Sequence, residues 1–160
     1  MKTWYLHSIV LILFCFSCEN ETVETYVAIP SPLEIPKLFE DNILDPIIPF
    51  DNPQTVEGIA LGKKLFFDPI LSEDNSQACA DCHAPEHAFT DSARISDGVK
   101  GIFGTRNSMP LFNLAWNYDE KFFWDGNTFS LEHQAFVPVS DPIEMNSSWV
   151  NVVEKLQQNP

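Results

Sequence analysis

Apolar side chains recur at helical spacing at Val56, Ile59, Ala60, Phe66 and Phe67. The pattern predicts a helix over 53–67, with Asn52 as its N-cap, Pro53 in its first turn and Asp68-Pro69 at its end. Trp149, Val152, Val153 and Leu156 fall at i, i+3, i+4 and i+7 and predict a last helix that Ser147 can cap. Shorter patterns predict helices over 78–83 and 130–136. Upstream, Pro30, Pro32, Pro36, Pro46, Pro49 and Pro53 each lack an amide donor, which excludes long helices and central strands from Val23 to Pro53. That stretch reads as a linker or an extended arm. Gly98, Gly101 and Gly104 mark a long turning loop. Strand-like alternation of useful length, internal repeats and low-complexity segments are all missing from the sequence. The expected fold is mainly α, with few short helices and much irregular loop.

Composition narrows the partners more than the fold. The 160 residues are 44% hydrophobic and 20% charged, enough for the core of one domain. Nine Lys and Arg against 23 Asp and Glu leave a net charge of -14, the wrong sign for gripping a phosphate backbone, so nucleic acid is excluded as the expected partner. The acidic residues are scattered, which reads as a solvated surface that could also steer a basic partner.

Four cysteines form two close pairs, Cys15/Cys18 and Cys79/Cys82, in unlike surroundings. Lys2 followed by the apolar run Ile9 to Phe16 reads as a secretory signal over 1–17, too short for a permanent membrane helix. Ser17 before Cys18 resembles a lipobox, in which Cys18 takes a lipid and becomes the mature N-terminus; an ordinary cleaved signal is the alternative. The expected location is the periplasm, with the protein anchored as a lipoprotein through Cys18 and tethered by 18–53. Glu19 follows Cys18, so the first pair provides no heme ligand.

Cys79-Ala80-Asp81-Cys82-His83 is different. Two thiols at this spacing can add to the two vinyl groups of one heme while the adjacent imidazole faces the iron. A zinc knuckle would need further ligands, and beyond the signal only His87 and His133 remain. A disulfide would not need His83. The motif therefore implies covalent heme c, and an exported chain suits its attachment outside the cytoplasm. Pro85 argues against a continuous helix that would bring His87 onto the same iron, so His87 reads as a surface or propionate-facing residue. His133, beside Glu132, reads as a solvated helix position.

From Leu61 onward the chain resembles the N-terminal domain of bacterial di-heme cytochrome c peroxidases and their MauG-like relatives. The resemblance rests on Leu61-Gly62-Lys63-Lys64-Leu65-Phe66-Phe67-Asp68-Pro69, the heme motif, Gly104-Thr105-Arg106-Asn107-Ser108, Phe123-Trp124-Asp125-Gly126 and Pro142-Ile143-Glu144-Met145 in that order. It implies a cytochrome c-like helical domain over 54–160 around one heme, with His83 as axial iron ligand and Cys79 and Cys82 in thioether bonds. It also implies that Trp124 offers electrons a path between two hemes, that Gln134 orients peroxide, and that Glu144 is the catalytic acid/base. Asn107 matches a ligand of a calcium ion in the family. No second Cys-x-x-Cys-His follows, so the C-terminal heme domain of such an enzyme is expected to be missing.

The activity so implied is reduction of hydrogen peroxide to water with electrons from a small periplasmic carrier such as a cytochrome c. A MauG-like oxidase of another substrate and a non-catalytic electron-transfer cytochrome stand as alternatives. One departure from the family pattern bears on reactivity. Gly98-Val99 stands where many members carry Gly-His, and valine has no lone pair to offer iron, so the peroxide side of the heme is expected to be open. A shifted loop that closes the position with Met109 or His87 is the competing expectation.

Overall fold

The structure is a computed structural model and describes residues 26–159. The expected signal peptide and Cys18 lie outside the described residues. Five α-helices follow one another: α1 (Lys37–Asn42), α2 (Val56–Phe67), α3 (Cys79–Cys82), α4 (Leu131–Ser140) and α5 (Trp149–Gln158). Short 3-10 turns and long loops connect them, and isolated bridges take the place of a sheet among the described residues. The mainly α architecture expected from the sequence is the one observed. No helix among the described residues is long and apolar enough to cross a membrane.

Three helix boundaries differ from the sequence pattern, each for a tertiary reason. Helix α2 starts at Val56, with the Thr55 hydroxyl accepting from the Gly58 amide at 3.0 Å. The preceding residues stay extended because Ser31 donates to the Gln54 carbonyl at 2.9 Å and Val56 donates to the Ile29 carbonyl at 2.9 Å. Helix α4 begins one residue later than expected, with Ser130 as its cap, and runs past Phe136 through Pro138 to Ser140. Proline forfeits one amide bond there, while the following Val139 is buried in the core, which holds the final turn in place. Ser148, not Ser147, caps α5; Ser147 is itself buried and donates its amide to the Val139 carbonyl at 2.8 Å.

Leu71, Val139, Met145 and Val152 form the buried cluster, with Leu65, Ile70 and Leu156 packed against it. The expected apolar face of α5 splits accordingly. Val152 is 1% exposed and Leu156 joins the core, whereas Trp149 packs edge-on against Phe136 at 4.6 Å and Val153 stays largely exposed. Lys155 on the same helix donates to the Ser72 carbonyl at 2.5 Å and the Glu73 carbonyl at 3.0 Å, fastening the loop that leads into α3. The proline-rich segment lies on the rest of the chain: Ile47 donates to the Ala115 carbonyl at 2.7 Å, the Tyr118 hydroxyl to the Leu44 carbonyl at 2.6 Å, and Phe39 meets Trp116 edge-on at 5.0 Å.

Candidate functional site

Cys79 and Cys82 open and close the single-turn helix α3, which packs on α2. The turn holds because the Asp81 carboxylate accepts from the Ala78 amide at 2.8 Å, while the chain leaves the helix at His83. Both thiols are unbridged. Desolvation, with the Asp81 charge nearby, raises the Cys79 pKa. Cys82 is pushed up to about 11, chiefly by desolvation and further by the charges of Asp91, Glu144 and Asp81, against a hydrogen bond from Gln77. The Gln77 amide donates to Cys82 Sγ at 3.4 Å, and Cys82 Sγ donates to the Asp97 carbonyl at 3.6 Å.

His83 Nδ1 lies 3.0 Å from the Phe89 carbonyl. A carbonyl only accepts, so Nδ1 carries the proton of this contact and Nε2 is the nitrogen left to face a ligand. Orienting a ligand imidazole through its other nitrogen is the usual way a protein readies histidine for a metal. The Ala84–Thr90 loop makes this possible by closing on itself, with Phe89 in left-handed backbone at φ 58. Two neutral thiols one helical turn apart, followed by an imidazole of fixed tautomer, are a donor set that fits covalent heme c. Among the described residues no group of three or more His, Cys, Asp or Glu side chains is arranged to hold a metal ion by itself.

Glu144 sits in a turn built by Asp141, whose carboxylate accepts from the Ile143 amide at 2.8 Å and the Glu144 amide at 3.2 Å. Its surface reaches solvent, yet the surrounding protein strips enough water to raise its pKa, and the Asp141 charge adds to the shift. The Asp97 carbonyl that accepts from Cys82 Sγ lies two residues before Val99, whose amide donates to the Glu144 carbonyl, so this turn lies in the neighbourhood of the cysteine motif. The Glu144 carbonyl accepts from the Val99 amide at 2.8 Å, and Val99 is 1% exposed. Gln134 is half-buried in the first turn and a half of α4, with no side-chain bond to Glu144.

Trp124 is 53% exposed, and its indole donates to the Asn107 carbonyl at 3.0 Å. The adjoining Arg106–Asp125 pair, at 3.1 Å, ties the same two loops together and lowers the Asp125 pKa. Asn107 is exposed, its side-chain amide 3.5 Å from the Ser108 carbonyl. His87 and His133 are both exposed. The structure thus gathers Cys79, Cys82, His83, Glu144 and Val99 in one region and pairs Trp124 with Asn107 in another set of loops. Sequence reasoning missed the Phe89 carbonyl, Gln77 and Asp141. The first has no side-chain signal, and the other two act through bonds that only the folded loops create.

Residues 56–160 match the family model described as di-haem cytochrome c peroxidase. The methylamine utilization protein MauG of Methylorubrum extorquens is 45% identical over 112 residues, 70% of this chain and 31% of the relative. The cytochrome c peroxidase Ccp of Escherichia coli is 40% identical over 114 residues, 71% of this chain and 24% of the relative. Among solved structures, a MauG-like protein associated with microbial copper homeostasis superimposes with a TM-score of 0.67 at 34% identity, over 78% of this chain and 35% of that one. The diheme peroxidase BthA from Burkholderia thailandensis gives a TM-score of 0.61 at 26% identity, over 84% of this chain and 39% of that one. The chain therefore spans about a third or less of these two curated relatives. With cysteine motif, fold and family match in agreement, the chain belongs to the di-heme cytochrome c peroxidase family.

Proposed function

We propose that this chain is the peroxide-reacting part of a heme c oxidoreductase that reduces hydrogen peroxide to water with electrons from a small periplasmic donor such as a cytochrome c. The observation that carries the reading is that the turn of Glu144 is bonded through Val99 to the loop whose Asp97 carbonyl accepts from Cys82, beside an imidazole held through Nδ1 by the Phe89 carbonyl. Cys79 and Cys82 would hold the heme by thioether bonds and His83 its iron, and the bound group supplies redox chemistry that no side chain offers.

Glu144 takes a proton from one peroxide oxygen and returns it to the other, so that the second oxygen departs as water when the O–O bond breaks. Two electrons and two protons in all convert one peroxide into two waters. A raised pKa suits this exchange, because the carboxylate becomes a stronger base while remaining able to give the proton back. Gln134 orients peroxide through its amide, and Trp124 provides an aromatic path for electrons toward a second heme. Asn107 contributes to a calcium site shared with further ligands. The division into a signal over 1–17, a lipid-anchored tether and arm over 18–53 and a heme domain from 54 belongs to the same reading, with the product in the periplasm.

The similarity to MauG favours a second reading, oxidation of a protein or small molecule by the same heme site. The test is to mix the heme-loaded protein, joined to a C-terminal heme domain, with peroxide and a reduced cytochrome donor. Donor oxidation that depends on peroxide is expected, from a protein that stains for heme on a denaturing gel. No heme stain, or no peroxide-dependent oxidation of any donor, overturns the proposal. Turnover of another substrate in place of the cytochrome selects the MauG-like reading.

A further inference from the structure

Glu73 belongs to none of the motifs, yet it joins three segments. It lies between the 3-10 turn Pro69–Leu71 and α3. Its carboxylate accepts from Lys100 Nζ at 2.5 Å and, on the same oxygen, from Asn146 Nδ2 at 2.6 Å. Its amide donates to the Met145 carbonyl at 2.9 Å. Lys100 follows Val99, and Asn146 lies two residues beyond Glu144, so a single side chain links both borders of the region around Glu144.

Those borders also touch directly. Val99 donates to the Glu144 carbonyl at 2.8 Å, and a Cβ built on Gly98 would stand 1.8 Å from the Ile143 carbonyl oxygen. Such close backbone contact leaves little freedom for either segment to move alone. Lys100 has φ 60 and Asn146 has φ 47, left-handed backbone that asparagine adopts readily and lysine keeps only when its surroundings compensate. Both residues spend their side chains on the Glu73 carboxylate, which holds the two left-handed turns together and compensates the one at Lys100. Behind it, Lys155 from α5 anchors the Glu73 carbonyl at 3.0 Å and the Asn75 side chain at 2.8 Å. The hub is therefore fixed to the core helix and not to a free loop.

We propose that Glu73 is a positioning residue that sets the backbone from which Glu144 is presented to peroxide, a role that rests on the reading of Glu144 as proton carrier. The hydrogen bonds from Lys100 and then Asn146 hold the Glu73 pKa below the usual carboxylate range, in keeping with an ionised hub. The pair is partly exposed, and ion pairs of that kind contribute little to global stability. Its effect is on local geometry.

The experiment uses the heme-loaded full-length protein and stopped-flow measurement of the second-order rate constant for peroxide, with Glu73→Ala and Glu73→Gln made alone and with Glu144→Gln. Glu73→Ala should slow the reaction by about tenfold, as displacement of a reacting group does, while the ferric heme spectrum and heme content stay those of the wild type. Glu73→Gln should recover most of the rate, because its carbonyl oxygen can accept from both donors. In the Glu144→Gln background Glu73→Ala should slow nothing further. An unchanged rate in Glu73→Ala, or an equal slowing with and without Glu144, overturns the role of Glu73. If Glu73→Ala fails to take up heme, Asn146→Gly removes one contact while easing the positive φ; it should be slowed likewise, and an unchanged rate there overturns the role as well. A Glu144→Gln protein as fast as wild type would remove the functional reading itself. A slow Glu144→Gln beside an unaffected Glu73→Ala removes only Glu73.

Discussion

At the residue scale the chemistry divides between groups that a string of letters names and groups that it does not. Cys79, Cys82 and His83 declare themselves by spacing, and Glu144 by its place in Pro142-Ile143-Glu144-Met145. The Phe89 carbonyl that settles the tautomer of His83 has no such signature, since every residue carries one. For Glu144 the consequence is measurable. Glu144→Gln should leave the heme spectrum nearly intact and slow the peroxide reaction by roughly a hundredfold, the loss expected for positioned acid/base catalysis. In the proposed role Glu144 accepts a proton in its ionised form, so the wild-type rate should fall as pH drops through its raised pKa, on an acid limb displaced upward from the usual carboxylate range and absent from the variant. Stability carries the complementary sign. A folded-state pKa above the unfolded one means that the stabilising contribution is full in acid, below the unfolded pKa, and is lost as pH rises through the folded pKa. Thermal melts of Glu144→Gln should therefore match wild type in acid and lie above it at neutral pH, where the wild type keeps a partly desolvated charge.

Among the elements, the helices were legible and their ends were not. Period located α2, α4 and α5, but Thr55 replaced Asn52 as cap because Ile29 and Ser31 pair with Val56 and Gln54 on either side of it, and Ser148 replaced Ser147. Pro138 did not end α4, because burying Val139 outweighs one missing amide bond. The long glycine loop also had a hidden order. Ser96 donates to the Arg106 carbonyl at 3.0 Å and Gly98 to the Ile102 carbonyl at 2.7 Å, folding 96–106 into an irregular hairpin. Gly98 has ordinary negative φ, so its requirement for glycine is steric. A methyl group there would meet the Ile143 carbonyl oxygen at 1.8 Å and its carbon at 2.7 Å, both backbone atoms that cannot rotate aside. Gly98→Ala should cost about 2 kcal/mol or more in chemical denaturation, a large effect for one methyl group. The substitution Gly101→Ala, where no atom lies within 4 Å of a built Cβ but φ is +69, separates backbone strain from collision.

For the whole molecule, the proposed peroxide reaction depends on whether a protein side chain closes the reacting face of the heme that Cys79, Cys82 and His83 would hold. Val99 is buried against the turn of Glu144, and a valine cannot bind iron. His87 is exposed on its own 3-10 turn. The oxidised heme-loaded protein should accordingly show a high-spin ferric spectrum and bind peroxide promptly without prior reduction. A low-spin spectrum with slow ligand binding would mean that another group, such as Met109, reaches the site. What the sequence by itself determined is the set of local, covalent and periodic facts: helical class, cysteine motif, acidic surface and the family strings. These depend on neighbours in the chain, whose spacing is written in the order of residues. Tertiary structure alone decided which carbonyl holds His83, which caps start the helices, and that Glu73, Lys100 and Asn146 meet beside Glu144. Those contacts join residues as many as 73 positions apart, and such pairings arise from packing of the core, for which no local pattern encodes a partner.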